Sequence, residues 1–384
     1  MSEANNFQVE GSRDLSDGAG IERFIKSNLA SFAGYSARES PETLEGELEV
    51  PVESVIKLDA NENPYGCSPL VNQALAAYPD LNIYPDAEQT ELRRLLAGYT
   101  GIGARHIVAG SGSGDLIDLM LRLLIEPGDE VVVCVPTFTM FPFSTRMYGG
   151  KLVEVPRDKD FTVSVRAVKA AISKRTKIIM VDNPNNPTGN LTSQSSLLEI
   201  VDTGLPVLVD EAYVEFAGET MAPLVRQYNN LVVLRTLSKW AGLAGLRVGY
   251  GIFPEKIADY LMTIKLPYNV NAAAIVAVRE SLRDIDYLRS NVRAIITERG
   301  RLFTELGKFK FLVPFPSQAN FVLCSVRGGL ADELRQKLKR RGIMVRYFDT
   351  PVMRDYIRIS VGKPEHTDAL TVALREIEEE INGK

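Results

Sequence analysis

The sequence predicts an α/β protein with a large domain, built on a mainly parallel sheet between helices, and a smaller α+β domain. Three observations carry that expectation. From about residue 68, helical periodicity alternates with short β-branched runs, the rhythm of βα units whose strands lie parallel. After about residue 271 the texture changes to long helices followed by separate strands. The chain's 384 residues, 45% of them hydrophobic, also exceed what one core usually organises, so two domains are expected.

Taken in order, residues 1–21 carry Glu3, Glu10, Asp14 and Asp17 among Ser, Gly and Asn. They lack the apolar stretch of a signal peptide and the acid-poor composition of a transit peptide, and read as a disordered tail. Residues 22–57 form an arm assigned to the smaller domain, 58–270 the large domain and 271–384 the small C-terminal domain. The clearest helix begins near Gly114: Leu116, Leu119, Met120 and Leu123 share one face, and Pro127 with Gly128 ends it. A β-branched run at 130–135 reads as a strand buried on both faces that stops at Pro136. Similar strands fit 177–181, 206–209, 231–234 and 247–251. In the small domain, strands are expected near 309–313, 320–323 and 356–360. A closing amphipathic helix carries Leu370, Ala373, Ile377 and Ile381 on one face.

Charge and composition remove several function classes. A net charge of -5, with Lys and Arg spread along the chain, offers no footprint for a nucleic-acid backbone. No apolar run approaches the ~20 residues of a membrane helix. Cys67, Cys134 and Cys324 are far apart and odd in number, which suits reduced thiols and a cytoplasmic location. His106 and His366 are the only histidines, so no His-rich metal centre is expected and proton transfer falls to Lys, Tyr or a carboxylate.

Four segments can carry chemistry, and each has a plainer alternative. Thr236-Leu237-Ser238-Lys239, with Gly242, Gly245 and Arg247 beyond, could bind a phosphate monoester while the amine reaches an aldehyde, or be a solvated turn. The stretch from Asp182 to Gly189 either makes consecutive turns or presents the Asn186 amide at a strand's carboxyl end, where open α/β sheets bind ligands. Asp210 ends an apolar strand, with Tyr213 three residues on; an acid there needs a cation or solvent, and a pyridinium N–H is one such partner. Gly110-Ser111-Gly112-Ser113-Gly114 opens a helix whose free N–H groups favour phosphate. It lacks the later glycine of a dinucleotide fingerprint, and no Walker loop follows. A nucleotide-binding α/β protein, or a non-catalytic one that keeps the fold, is the reading from a different class.

In this order, and joined by Pro136-Thr137-Phe138 and Arg358-Ile359-Ser360, the segments resemble the pyridoxal 5'-phosphate aminotransferases of fold type I, with their seven-stranded large-domain sheet. The resemblance spans nearly the whole chain after residue 30. It implies that Lys239 holds the cofactor as a Schiff base and shuttles a proton, that Asp210 pairs with the pyridine nitrogen, and that Asn186 and Tyr213 bond the phenolic oxygen. Phe138 would stack on the ring. Gly112, Ser113, Gly114, Thr236, Ser238 and Arg247 would hold the phosphate. Tyr84 matches a tyrosine that crosses to the neighbouring site, implying a homodimer.

Within that family the likeness is closest to the histidinol-phosphate aminotransferases, through the Leu58 to Gly66 segment, the segment beginning at Tyr35, and the pairing of Arg346 with Arg358. Tyr35, Asn61, Asn63, Arg346 and Arg358 are then the candidate substrate contacts, with glutamate and 2-oxoglutarate completing the cycle. An aromatic amino-acid aminotransferase and a decarboxylase of phosphorylated amino acids are the alternatives on the same fold.

Overall fold

The computed structural model describes residues 20–30, 32 and 48–382. Two compact units are present, Met1–Ser36 and Ala37–Lys384. In the first, Ile21–Phe24 forms a 3-10 turn and Ser27–Ala30 a single α-helical turn. The expected tail at 1–21 lies outside the described residues except at Gly20 and Ile21, as does Tyr35.

Among the described residues of the second unit, strands form two sheets. The larger has the order β2-β8-β7-β6-β5-β3-β4, where β2 is Ile107–Gly110, β3 Glu130–Val135, β4 Lys151–Pro156, β5 Thr176–Asp182, β6 Val207–Asp210, β7 Leu231–Thr236 and β8 Gly249–Ile252. All neighbours pair in parallel except β8, which runs antiparallel to both β2 and β7. The smaller sheet has the order β1-β11-β12-β10-β9, with β1 Ile56–Leu58, β9 Leu312–Pro314, β10 Phe321–Val326, β11 Ile343–Tyr347 and β12 Tyr356–Ser360.

The central strands are continuous apolar runs because both faces of the large sheet are covered. Val132, Cys134, Ile179, Val181, Val207, Val209, Leu231 and Val233 point into one buried cluster. Their neighbours Val131, Val133, Ile178, Met180, Leu208, Val232 and Leu234 point into the other. That strict alternation is the period of a strand. The helix Ser113–Leu124 seals the second cluster with Leu116, Ile117, Met120 and Leu121. The first cluster runs on into Phe321, Ile357 and Ile359 of the small sheet, so one apolar core lies beneath both sheets.

Two expected strands shift. The strand expected at 247–251 starts only at Gly249, because Arg247 sits in the left-handed region at φ 52 and closes the preceding 3-10 turn. The strand expected at 309–313 starts at Leu312, whose N–H is taken by a turn to the Phe309 carbonyl at 3.1 Å. Among the described residues no helix is long and apolar enough to cross a membrane.

Candidate active site

Strands β3, β5, β6 and β7 run in one direction, so their carboxyl ends open along one edge of the sheet, where α/β folds bind ligands. Adjacent register places Asp182, the last residue of β5, beside Asp210, the last of β6. The chain leaving β7 at Thr236 reaches Lys239 three residues later.

Asp210 is 3% exposed, and its Oδ1 accepts the Ala212 N–H at 3.0 Å. Burial, and next the negative charge of Asp182, push its carboxyl up to about 7, while the Lys239 ammonium pulls the other way. A buried acid of this kind is best satisfied by a protonated nitrogen brought by a ligand. Lys239 Nζ donates to the Ala60 carbonyl at 3.0 Å. Next along that segment, Asn61 takes a left-handed φ of 53 and donates from Nδ2 to the Tyr213 hydroxyl at 2.9 Å. Ser360 holds Asn61 there, accepting its N–H at 2.8 Å and donating to its Oδ1 at 3.0 Å. The Tyr213 ring packs edge-on against Phe321, with centroids 5.2 Å apart.

The start of the Ser113–Leu124 helix is the candidate place for a phosphate-sized anion. Gly112 sits at φ 86, a conformation that favours glycine, and the Arg247 guanidinium closes over it, 2.6 Å from where a Cβ would stand. Asp115 braces the same turn, accepting the Ser111 N–H at 2.9 Å and the Asn269 Nδ2 at 3.0 Å. Thr236 Oγ1 donates to Ser238 Oγ at 2.9 Å and accepts the Ser238 N–H at 3.1 Å, which leaves the Ser238 hydroxyl proton available to a ligand. Glycine at 249 in β8 allows this loop to approach, since a Cβ there would come within 2.6 Å of the Ser113 nitrogen.

On the other side, Arg358 from β12 reaches into the pocket. Its Nη1 donates to Asn186 Oδ1 at 2.5 Å and its Nη2 to the Asp59 carbonyl at 2.6 Å. Arg346 lies directly across the ladder from Arg358, and both guanidinium groups stand over the Phe348 ring, 5.5 and 5.8 Å from its centroid. Asn63 fastens its turn by donating to the Trp240 carbonyl at 2.9 Å. Lys239, Tyr213, Asn61, Asn186 and Arg358 thus meet along the Asp59–Asn61 segment, and Asp210 lies near enough to Lys239 to feel its charge. Tyr84 stands elsewhere: it is 77% exposed and stacks on Tyr268 at 4.6 Å, in a strip with the exposed Leu81, Ile83 and Leu266.

Sequence reasoning missed Asp182 and Arg157, which form a buried ion pair at 3.3 Å behind Phe138 and Asn186. The signal that singled out Asp210, an acid ending an apolar strand, was present at Asp182 as well. Ser360 was quoted in a motif but given no role, and Phe348 carried no signal at all.

The donor set matches a ligand with a phosphate, an aromatic ring bearing a basic nitrogen, and a carbonyl within reach of an amine. The sequence pattern of the family Aminotransferase class I and II matches residues 53–374. A histidinol-phosphate aminotransferase of Dehalococcoides mccartyi (strain CBDB1) is 51% identical over 94% of this chain and 99% of its own length. The chloroplastic histidinol-phosphate aminotransferase of Nicotiana tabacum is 43% identical over 92% of this chain and 86% of its own length. Among solved structures, the histidinol-phosphate aminotransferase of Sinorhizobium meliloti in complex with pyridoxal-5'-phosphate superposes with a TM-score of 0.82, at 27% identity, over 90% of this chain and 96% of that one.

Proposed function

Because the chain belongs to the class I and II aminotransferase family, we propose that it moves the amino group of L-histidinol phosphate to 2-oxoglutarate, giving imidazole acetol phosphate and glutamate in histidine biosynthesis. One observation supports this reading: Lys239 Nζ reaches the Ala60 carbonyl and Arg358 the neighbouring Asp59 carbonyl, so the amine and the candidate anion-binding guanidinium meet on one short segment. A substrate that is itself phosphorylated needs both.

Pyridoxal 5'-phosphate is the cofactor, and when bound its ring serves as the electron sink that lets a proton leave the substrate carbon bearing the amine. Lys239 Nζ would hold the cofactor's aldehyde carbon and, when free, would serve as the base that moves the proton. The Asp210 carboxylate would pair with the ring nitrogen, a pairing favoured by the burial that makes Asp210 basic. Asn186 and Tyr213 would hydrogen-bond the phenolic oxygen, and Phe138 would stack on the ring. Ser113, Thr236, Ser238 and Arg247, with the turn from Gly112 to Gly114, would anchor the phosphate. Arg358 and Arg346 hold the anionic groups of the two alternating amino donors, and Asn61 and Asn63 belong to the segment that covers the substrate. Tyr84 is presented to the neighbouring subunit of a homodimer, and its exposed apolar strip supports that placement.

The test is a single half-reaction. Histidinol phosphate added to cofactor-loaded protein should convert the cofactor to its amine form, and 2-oxoglutarate should restore it. Conversion by phenylalanine or aspartate with none by histidinol phosphate would overturn the substrate assignment. Release of carbon dioxide from a phosphorylated amino acid would replace it with decarboxylation. Lys239→Ala should abolish the borohydride-trapped attachment of cofactor to the chain and lower turnover by about 10³-fold.

A further inference from the structure

We propose that the buried pair Asp182 and Arg157 is a positioning element that sets the orientation of Phe138 and Asn186 against the cofactor, and so tunes the environment of the ring bound at Lys239. The inference rests on the cofactor reading above and adds two residues that act through others.

The geometry is a hub. Asp182 Oδ1 accepts from Thr137 Oγ1 at 3.1 Å and from Arg157 Nη2 at 3.3 Å. Its Oδ2 accepts from the Phe138 N–H at 3.1 Å and the Asn186 N–H at 2.8 Å. Two of the four donors therefore belong to residues assigned to the cofactor, and Thr137 adjoins one of them. Arg157, whose side chain is fully buried, spends its other protons on backbone: Nε on the carbonyls of Cys134 at 3.2 Å and Pro136 at 3.1 Å, Nη1 on that of Phe161 at 3.3 Å. One ion pair thus ties together the segments leaving β3, β4 and β5.

Stability alone does not account for it. A buried ion pair loses about as much in desolvation as it recovers, and apolar residues of similar volume generally serve the core as well or better. What apolar residues cannot do is fix three loop backbones by directed bonds. Register adds a second effect, because Asp182 lies beside Asp210 and its charge raises the proton affinity of that carboxyl. The same hub that sets Phe138 and Asn186 therefore also acts on the acid assigned to the ring nitrogen.

Cofactor-loaded Asp182→Asn, Arg157→Lys and Thr137→Val proteins test this by visible circular dichroism of the bound cofactor, its dissociation constant and the melting temperature. Asp182→Asn keeps the size but faces an amide N–H toward donors. It should lower the dichroism of the bound cofactor and weaken cofactor retention about tenfold. Arg157→Lys should fall between it and the parent, and Thr137→Val should weaken retention about fivefold. Lower melting temperatures with dichroism and retention unchanged would make the pair merely structural and overturn the proposal. If Asp182→Asn does not fold, Thr137→Val decides on the same two readouts. Absence of a Lys239-dependent visible band in the parent would bring down the cofactor reading and this role with it. A normal parent band with unaltered variants would bring down this role alone.

Discussion

Asp210 and Glu215 are buried carboxyls each pushed up to about 7, in both cases chiefly by burial. Their folded-state values lie above those of an unfolded chain, so between about pH 4 and pH 7 the folded protein binds more protons than the unfolded one. The stability they supply is complete below that window and is lost as pH rises through about 7. Cofactor-free protein should therefore melt at a lower temperature at about pH 8 than at about pH 5, and Asp210→Asn should remove part of that slope, worth of order a few kcal/mol. A parent and variant with identical slopes in scanning calorimetry would contradict the assignment. At Arg358 the planar fork reaches Asn186 and Asp59 with separate nitrogens. Arg358→Lys offers one point charge in its place and should raise KM for both amino donors by roughly 10- to 100-fold, measured in steady-state kinetics. Asp210 and Lys239 were legible in the sequence because a charge at the end of an apolar strand, or beside hydroxyls and glycines, asks for a partner. Asp182 asked in the same way but stood among turn-forming Asn and Pro, and its partner lies 25 residues earlier, a pairing that only the sheet order reveals.

At the scale of elements, β3, β5, β6 and β7 were readable because burial on both faces demanded continuous apolar runs, while the equally buried four-residue β2 was too short to stand out. Strand β4 at the sheet edge and the three-residue β1 carry no such run, and went unread. The direction of β8 was equally hidden, because Gly249-Tyr250-Gly251-Ile252 holds too few side chains to show a pattern. Its glycines answer to close approach instead. Gly249→Ala would drive a methyl group to 2.6 Å from the Ser113 nitrogen and 2.7 Å from the Gly112 carbonyl carbon. It should cost about 1–3 kcal/mol in urea unfolding. It should also weaken pyridoxal phosphate binding more than pyridoxal binding, since the displaced loop is the candidate anion site. Equal losses for the two ligands would place that site elsewhere.

For the whole molecule, Tyr84, Tyr268, Leu81, Ile83 and Leu266 are exposed, and they are where the proposed second copy of the chain would be tested. If Tyr84 serves the opposite subunit's site, Tyr84→Ala and Lys239→Ala proteins should each be impaired, yet mixing them under subunit exchange should restore turnover. One site of each hybrid would then carry both defects and the other neither. Mixtures no more active than their separate components would reject shared sites.

The short path from β1 to the pocket has a consequence for selectivity. Leu58 is locked in register with Val345 of the small sheet, and three residues later Asn61 bonds Tyr213 while Ser360 of β12 grips Asn61. Arg358, two places before Ser360 on the same strand, holds Asp59. The Arg358 guanidinium and the Asn61 amide that meets the tyrosine hydroxyl are therefore attached to one strand, through Asp59 and Ser360. If Arg358 takes the donor's anion as proposed, a donor that seats its charge poorly would disturb the Tyr213 hydroxyl as well, and a wrong donor would lose speed in proton transfer as well as affinity.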